Sequence, residues 1–146
     1  MQSLKKWKKT KIRKKWNEKR EKLRWDVQRN HKDLRAWQVA MRLVQEVYAL
    51  TSTFPKEELF GLSSQMRRAA ISVPSNIAEG SARSGTKELI HFLSISTGSL
   101  SELDTQIELA KMLGYCEDIT KLQATLDEAS ALILALSKAL KNKLKP

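Results

Sequence analysis

From Asn30 onward, apolar residues recur at alternating steps of three and four, the spacing that lines one side of an α-helix. Leu34, Trp37, Met41, Val44 and Tyr48 make one such seam. A second seam, Ala40, Leu43, Val47, Leu50 and Phe54, runs beside it, displaced by roughly 120°. This first helix is therefore expected to bury two faces. Asn30 with Asp33 three residues later reads as its start. Phe54-Pro55 reads as its stop, because the residue before a proline avoids the helical region.

The same alternation predicts three more helices. Leu62, Met66, Ala69, Val73 and Ile77 define the second, which ends between Gly80 and Gly85. Pro74 lies inside it, where the ring deletes one backbone donor and crowds the preceding turn, so a kink is expected, with Ser72, Ser75 or Asn76 satisfying the freed groups. The third helix, 86–113, carries Leu89, Leu93, Ser96, Leu100, Leu103, Ile107 and Ala110, and Gly114 is its natural stop. The fourth, 117–143, carries Ile119, Leu122, Leu126, Ala129, Ile133, Leu136 and Leu140. Glu117 and Asp118 in its first turn and lysines in its last suit the helix dipole. Nothing alternates with the period of a strand. The reading is all-α: residues 30–146 form an antiparallel up-down four-helix bundle whose helices cross near +20°.

Charge divides the chain differently from hydropathy. The first 35 residues hold 15 Lys and Arg against 4 Asp and Glu, a net of +11. The rest holds 12 of each, so the whole excess sits at one end. Residues 1–29 thus form a basic N-terminal arm, either coil or induced helix. Read as a helix, Ile12, Trp16, Leu23 and Val27 share a narrow stripe ringed by cations, with Trp7 and Trp25 away from it. A segment of this density repels itself and attracts polyanions, nucleic acid above all. The contact set is Lys5, Lys6, Lys8, Lys9, Lys11, Arg13, Lys14, Lys15, Lys19, Arg20, Lys22 and Arg24, with Trp7, Trp16 and Trp25 as stacking partners.

Composition removes other classes. Cys116 is the only cysteine among 146 residues, so an intrachain disulfide or a cysteine zinc site is impossible, and a reducing cytoplasm fits best. There is no apolar run long enough to span a membrane, and the basic N-terminus lacks the apolar stretch of a secretory signal. His31 and His91 have no HExxH spacing, and Glu102, Asp104 and Glu108 lack the Glu-x-x-His pairs of a di-metal bundle. Ser94, Ser96, Ser99 and Ser101 suit close helix packing better than nucleophilic chemistry. No Walker loop and no GxGxxG occurs. The expectation is a non-enzyme without cofactor or metal.

The run from Arg67 to Arg83 stands apart. It joins Arg67 and Arg68, the internal Pro74, Asn76, a buried-side Glu79 and Arg83 within five turns. Two readings stay open: a polar network holding the kink and a neighbouring helix, or a ligand or protomer contact. Taken with Asp33-Leu34-Arg35-Ala36-Trp37-Gln38-Val39-Ala40-Met41, Phe54-Pro55-Lys56-Glu57-Glu58, Glu88-Leu89-Ile90-His91-Phe92-Leu93, Gly98-Ser99-Leu100-Ser101-Glu102-Leu103-Asp104-Thr105-Gln106 and Ala110-Lys111-Met112-Leu113-Gly114-Tyr115, it resembles the bacterial four-helix-bundle proteins encoded within intervening sequences of 23S rRNA genes. The resemblance implies a short bundle assembling into a ring, usually a homopentamer, with no established enzymatic activity. The same fold family is similar to the accessory variability determinant of diversity-generating retroelements, a pentameric partner of a reverse transcriptase and its template RNA. The arm departs from the family pattern, whose members mostly begin near Asp33.

These features give a leading expectation: a ring-forming RNA- or DNA-binding adaptor, accessory to a reverse transcriptase or a structured RNA. Arms gathered on one ring multiply avidity by roughly 10²–10⁴. The alternative is a purely structural oligomer that docks another protein.

Overall fold

The computed structural model describes residues 10–21 and 30–146, and the chain divides after Asn30 into two compact units. In the first unit, residues 10–21 are helical (α1) and every one of them is exposed. The stripe residues Ile12 and Trp16 stand 59% and 66% exposed, and Leu23 and Val27 lie outside the described residues.

The second unit is all-α, with no strand among the described residues. A 3₁₀ turn, Asn30–Asp33, leads into α2 (Arg35–Thr51), followed by α3 (Leu62–Ala82), α4 (Thr86–Met112) and α5 (Thr120–Lys143). Helix α3 packs between α2 and α4, and α5 packs between the same two, so each helix meets two neighbours around a shared core. Leu43, Val47, Met66, Val73, Ile77, Leu93, Leu103, Ile107 and Ile133 are completely buried there. At about 25 cal/mol per Å² of apolar surface removed from water, this core is the main stabilising term of the fold.

Local chemistry shifts three boundaries from the sequence reading. Asn30 and Asp33 do not start α2: they form the 3₁₀ turn, and Leu34 takes the N-cap position without a side-chain cap bond. Helix α2 stops at Thr51, where Thr51, Ser52 and Thr53 hydroxyls donate back to Val47, Ala49 and Leu50 carbonyls. Helix α5 begins at Thr120, three residues later than Glu117, because the Asp118 carboxylate accepts the Thr120 amide at 3.0 Å. That bond, which stabilises the ionised form, also holds the Asp118 carboxyl below its usual range.

One packing expectation is corrected in part. Helix α2 fully buries Ala40, Leu43 and Val47 of one seam, while the other is only half covered: Leu34, Trp37 and Val44 pack against the core, and Met41 and Tyr48 remain 42% and 40% exposed. Helix α3 runs unbroken through Pro74. Asn76 Nδ2 donates to the Ser72 carbonyl at 2.8 Å; the carbonyl that Pro74 leaves without its helical donor is that of Ala70, four residues back, so this amide does not replace the missing bond.

The ends of α4 are fixed by close approach and by a turn. Gly114 has φ +76°, and its amide donates to the Lys111 carbonyl while the Tyr115 amide donates to the Ala110 carbonyl. This pairing satisfies the last carbonyls of the helix and needs the left-handed region that glycine enters freely. Tyr115 then packs on Phe54, ring centroids 5.4 Å apart, and donates its hydroxyl to Glu58 Oε1 at 3.0 Å. Glu58 Oε2 accepts the Leu62 amide at 2.8 Å, so one carboxylate ties the α2–α3 connection to the α4–α5 corner.

At the other end, a Cβ on Gly80 would sit 2.7 Å from Phe92 Cβ and 3.3 Å from Leu89 Cα. Neither atom can swing aside. Gly80→Ala is therefore expected to destabilise the protein by about 1–3 kcal/mol, although alanine is the better helix former by about 1 kcal/mol. Urea denaturation checks the sign. The Glu58 bond, with burial adding to it, raises the Tyr115 phenol above its ordinary value. Its contribution to stability holds below the ordinary phenol range and is lost as pH rises through the raised value. Glu58→Gln should bring the Tyr115 phenolate absorbance transition back down towards about 10; an unmoved transition contradicts the assignment.

Candidate nucleic-acid interface

Helix α1 presents Lys11, Arg13, Lys14, Lys15, Lys19 and Arg20, all exposed, within twelve residues that also hold Glu18 and Glu21. With 3.6 residues per turn the cations fall on all sides of the helix, so Ile12 and Trp16 interrupt a basic surface. Lys15 and Lys19 flank Trp16 along the same side. An indole edged by two ammonium groups can stack on a base while its neighbours meet the adjacent phosphates. Lys5, Lys6, Lys8, Lys9, Lys22, Arg24, Trp7 and Trp25 lie outside the described residues.

The Arg67–Arg83 segment resolves into three separate arrangements. Arg67 is half-buried: its guanidinium lies 4.6 Å from the Tyr48 ring centroid, and its Nε donates to Thr51 Oγ1 at 2.9 Å. It therefore fastens α3 to the C-terminal turn of α2. Arg68 is exposed. Asn76 belongs to a hydroxyl-rich seam, where its Nδ2 also donates to Ser72 Oγ and Ser99 Oγ reaches the same Ser72 Oγ at 2.8 Å. One turn back along α4, Ser96 Oγ donates to the Val73 carbonyl at 2.9 Å. The small side chains of Ser96 and Ser99 thus let α3 and α4 approach closely and bond across the gap. Ser94 and Ser101 are exposed and take no part in it.

Glu79 is not on the buried side of its helix. Its side chain is 50% exposed, and it pairs with Arg83 at 2.7 Å across one helical turn. Arg83 also lies 5.3 Å from the Phe92 ring, covering the α3–α4 turn. The segment therefore splits into an outer ion pair and an inner hydroxyl-amide seam that share no bond. The sequence pattern could not separate them, since one-turn spacing places Asn76, Glu79 and Arg83 on adjoining faces without saying which face a neighbouring helix covers.

Elsewhere the polar chemistry is structural. Glu128 receives Arg35 and Arg42 across the α2–α5 boundary, and the Arg35 bond, helped by Arg42, holds its carboxyl below the usual range. Gln123 Nε2 bridges Asp104 and Asp127 at 3.2 and 3.1 Å. His91 is exposed beside Phe92. Burial pushes the Cys116 thiol up, which disfavours the thiolate. No group of three or more His, Cys, Asp or Glu is placed to hold a metal ion among the described residues. No helix among them is long and apolar enough to cross a membrane.

Removing the amide in Asn76→Ala should cost about 1 kcal/mol of stability and leave affinity for RNA unchanged. Thermal melting and filter binding on the same preparation test this; weakened binding at unchanged stability would instead place Asn76 in a contact surface.

No curated protein matches the sequence. The family model described as 23S rRNA-intervening sequence protein does match, over residues 32–135. That span takes in α2, α3, α4 and most of α5, with the inner seam at Ser72, Asn76 and Ser99, and it leaves α1 outside. By the core it builds from those helices, the chain belongs to the 23S rRNA-intervening sequence protein family.

Proposed function

We propose that the protein is a non-enzymatic, nucleic-acid-binding adaptor, in which α2–α5 form an up-down four-helix bundle and the arm grips phosphate. The carrying observation is the exposed basic helix α1, with Trp16 open to solvent amid six Lys and Arg residues. Core packing accounts for none of these six cations, since the helix exposes every side chain, and a polyanion is drawn to them as a group. Phosphate contacts fix position without reading sequence, so binding is general and structure-tolerant.

Ring formation is part of the same proposal. The half-covered α2 seam, with Met41 and Tyr48 partly exposed and Ile71 of α3 also 41% exposed, is the kind of surface that a neighbouring copy covers. A homopentamer would carry five arms near one axis, and linked weak sites give strong binding. A reverse transcriptase or a structured RNA, in the cytoplasm, is the partner this arrangement suits. The structural-oligomer reading draws on the same exposed apolar residues but gives the arm no part.

The two readings separate on one variant. Changing Lys11, Arg13, Lys14, Lys15, Lys19 and Arg20 to Gln is expected to weaken binding to a single-stranded RNA by more than tenfold. Its salt dependence should flatten by about 0.7 for each phosphate that is no longer neutralised, and the oligomer should keep its size by light scattering. Undiminished affinity at matched salt overturns the arm's role.

A further inference from the structure

The packing of α2–α5 sorts charge in a way that the chain order hides. Lys121 lies 3.9 Å from Glu46, while Glu128 meets Arg35 and Arg42, so α5 runs antiparallel to α2 and its C-terminus reaches the end where α2 begins. Arg67, near the start of α3, meets Thr51 and Tyr48 at the end of α2, so α3 runs back along α2, and Gly80 meets Leu89 and Phe92, so the α3–α4 turn is at that end too. Three segments distant in sequence therefore share one end of the body. They bring Lys32, Lys87, Lys138, Lys141, Lys143 and Lys145, all exposed, against Asp33 and Glu88. Arg83 is there as well, already paired with Glu79.

The opposite end has the reverse sign. It collects the α2–α3 connection and the α4–α5 corner, where Glu46, Glu57, Glu58, Glu108, Glu117 and Asp118 slightly outnumber Lys56, Arg67, Arg68, Lys111 and Lys121. From His31 on the body holds 14 Lys and Arg against 13 Asp and Glu, nearly neutral as a sum but uneven along its length. Among the described residues, no carboxylate lies within ion-pair distance of Lys138, Lys141, Lys143 or Lys145. Lysines in the last turn of α5 complement the helix dipole, which accounts for Lys141 and Lys143. It accounts for neither Lys138, a turn earlier, nor Lys32 and Lys87 on other elements.

We propose that this end of the body is a second phosphate-binding surface, at which Lys87 and the α5 C-terminal lysines meet a nucleic-acid strand. The proposal rests on the arm reading and extends it to the folded core. Four like charges within eight residues, without partners, raise the local potential and draw a polyanion more strongly than scattered lysines would. A free ion or a short anion would gain little from such a surface; an extended backbone meets several lysines together.

The test uses the full chain and two variants that remove equal charge. Lys138→Gln, Lys141→Gln and Lys145→Gln together neutralise the basic end; Lys56→Gln, Lys111→Gln and Lys121→Gln together do the same on or near the acidic end. Affinity for a fluorescent single-stranded RNA is expected to fall at least about tenfold in the first variant, with a salt slope shallower by about two, and to stay near the parent value in the second. Equal losses in both would show that bulk charge alone matters and would overturn the proposal. Full affinity in the first variant, alongside weak binding by the α1 variant above, would overturn it while leaving the arm's role standing. An intact chain that binds no RNA removes the arm reading and this one together. Capture by phosphatidylserine vesicles, lysine-dependent and without RNA affinity, would reassign the surface to membranes.

Discussion

Self-repulsion among the cations near the N-terminus constrains everything else in this protein. Charges at that density far outnumber the local carboxylates, and removing them from water would cost several kcal/mol each. They cannot join a core. The apolar seams of α2–α5 therefore do the folding alone, and α1 keeps each described side chain in solvent. Division into a charged arm and an uncharged interior is a physical necessity before it is a functional arrangement.

Within the body, hydrophobic burial sets the layout and a few polar contacts fix the details. The Glu58 carboxylate ties one end by accepting both the Leu62 amide and the Tyr115 hydroxyl. Gly80 allows α3 and α4 to converge at the other, against Leu89 and Phe92. Between them, Ser72, Asn76, Ser96 and Ser99 supply hydrogen bonds where larger side chains would hold the helices apart. The family match covers these features and stops short of α1, so the shared property is the scaffold.

Much of the scaffold was legible because three-four spacing maps directly onto buried faces. The seams through Val73 and Ile77, through Leu93 and Leu103, and through Leu126 and Ile133 are all interior. Boundaries were less legible, since they depend on side-chain geometry: Asp118 accepting the Thr120 amide delayed α5, and back-bonding hydroxyls closed α2 early. Met41 and Tyr48 of α2 looked as interior as their seam neighbours Leu34, Trp37 and Val44 because periodicity reports apolarity without reporting a partner. Glu79 was misplaced for the same reason, its ion pair with Arg83 being external. In the candidate site, the basic segment was evident from charge alone. The lysine-rich end of the body was not, because only antiparallel packing brings Lys87 beside the last turns of α5.

The claim that phosphate neutralisation drives partner binding is tested most directly by the salt dependence of RNA affinity for the intact protein. Log affinity should fall linearly with log salt concentration, with a slope of about −4 or steeper, matching six or more single-strand contacts. A slope near zero, with affinity preserved at high salt, would contradict the account and place recognition on the apolar surfaces instead.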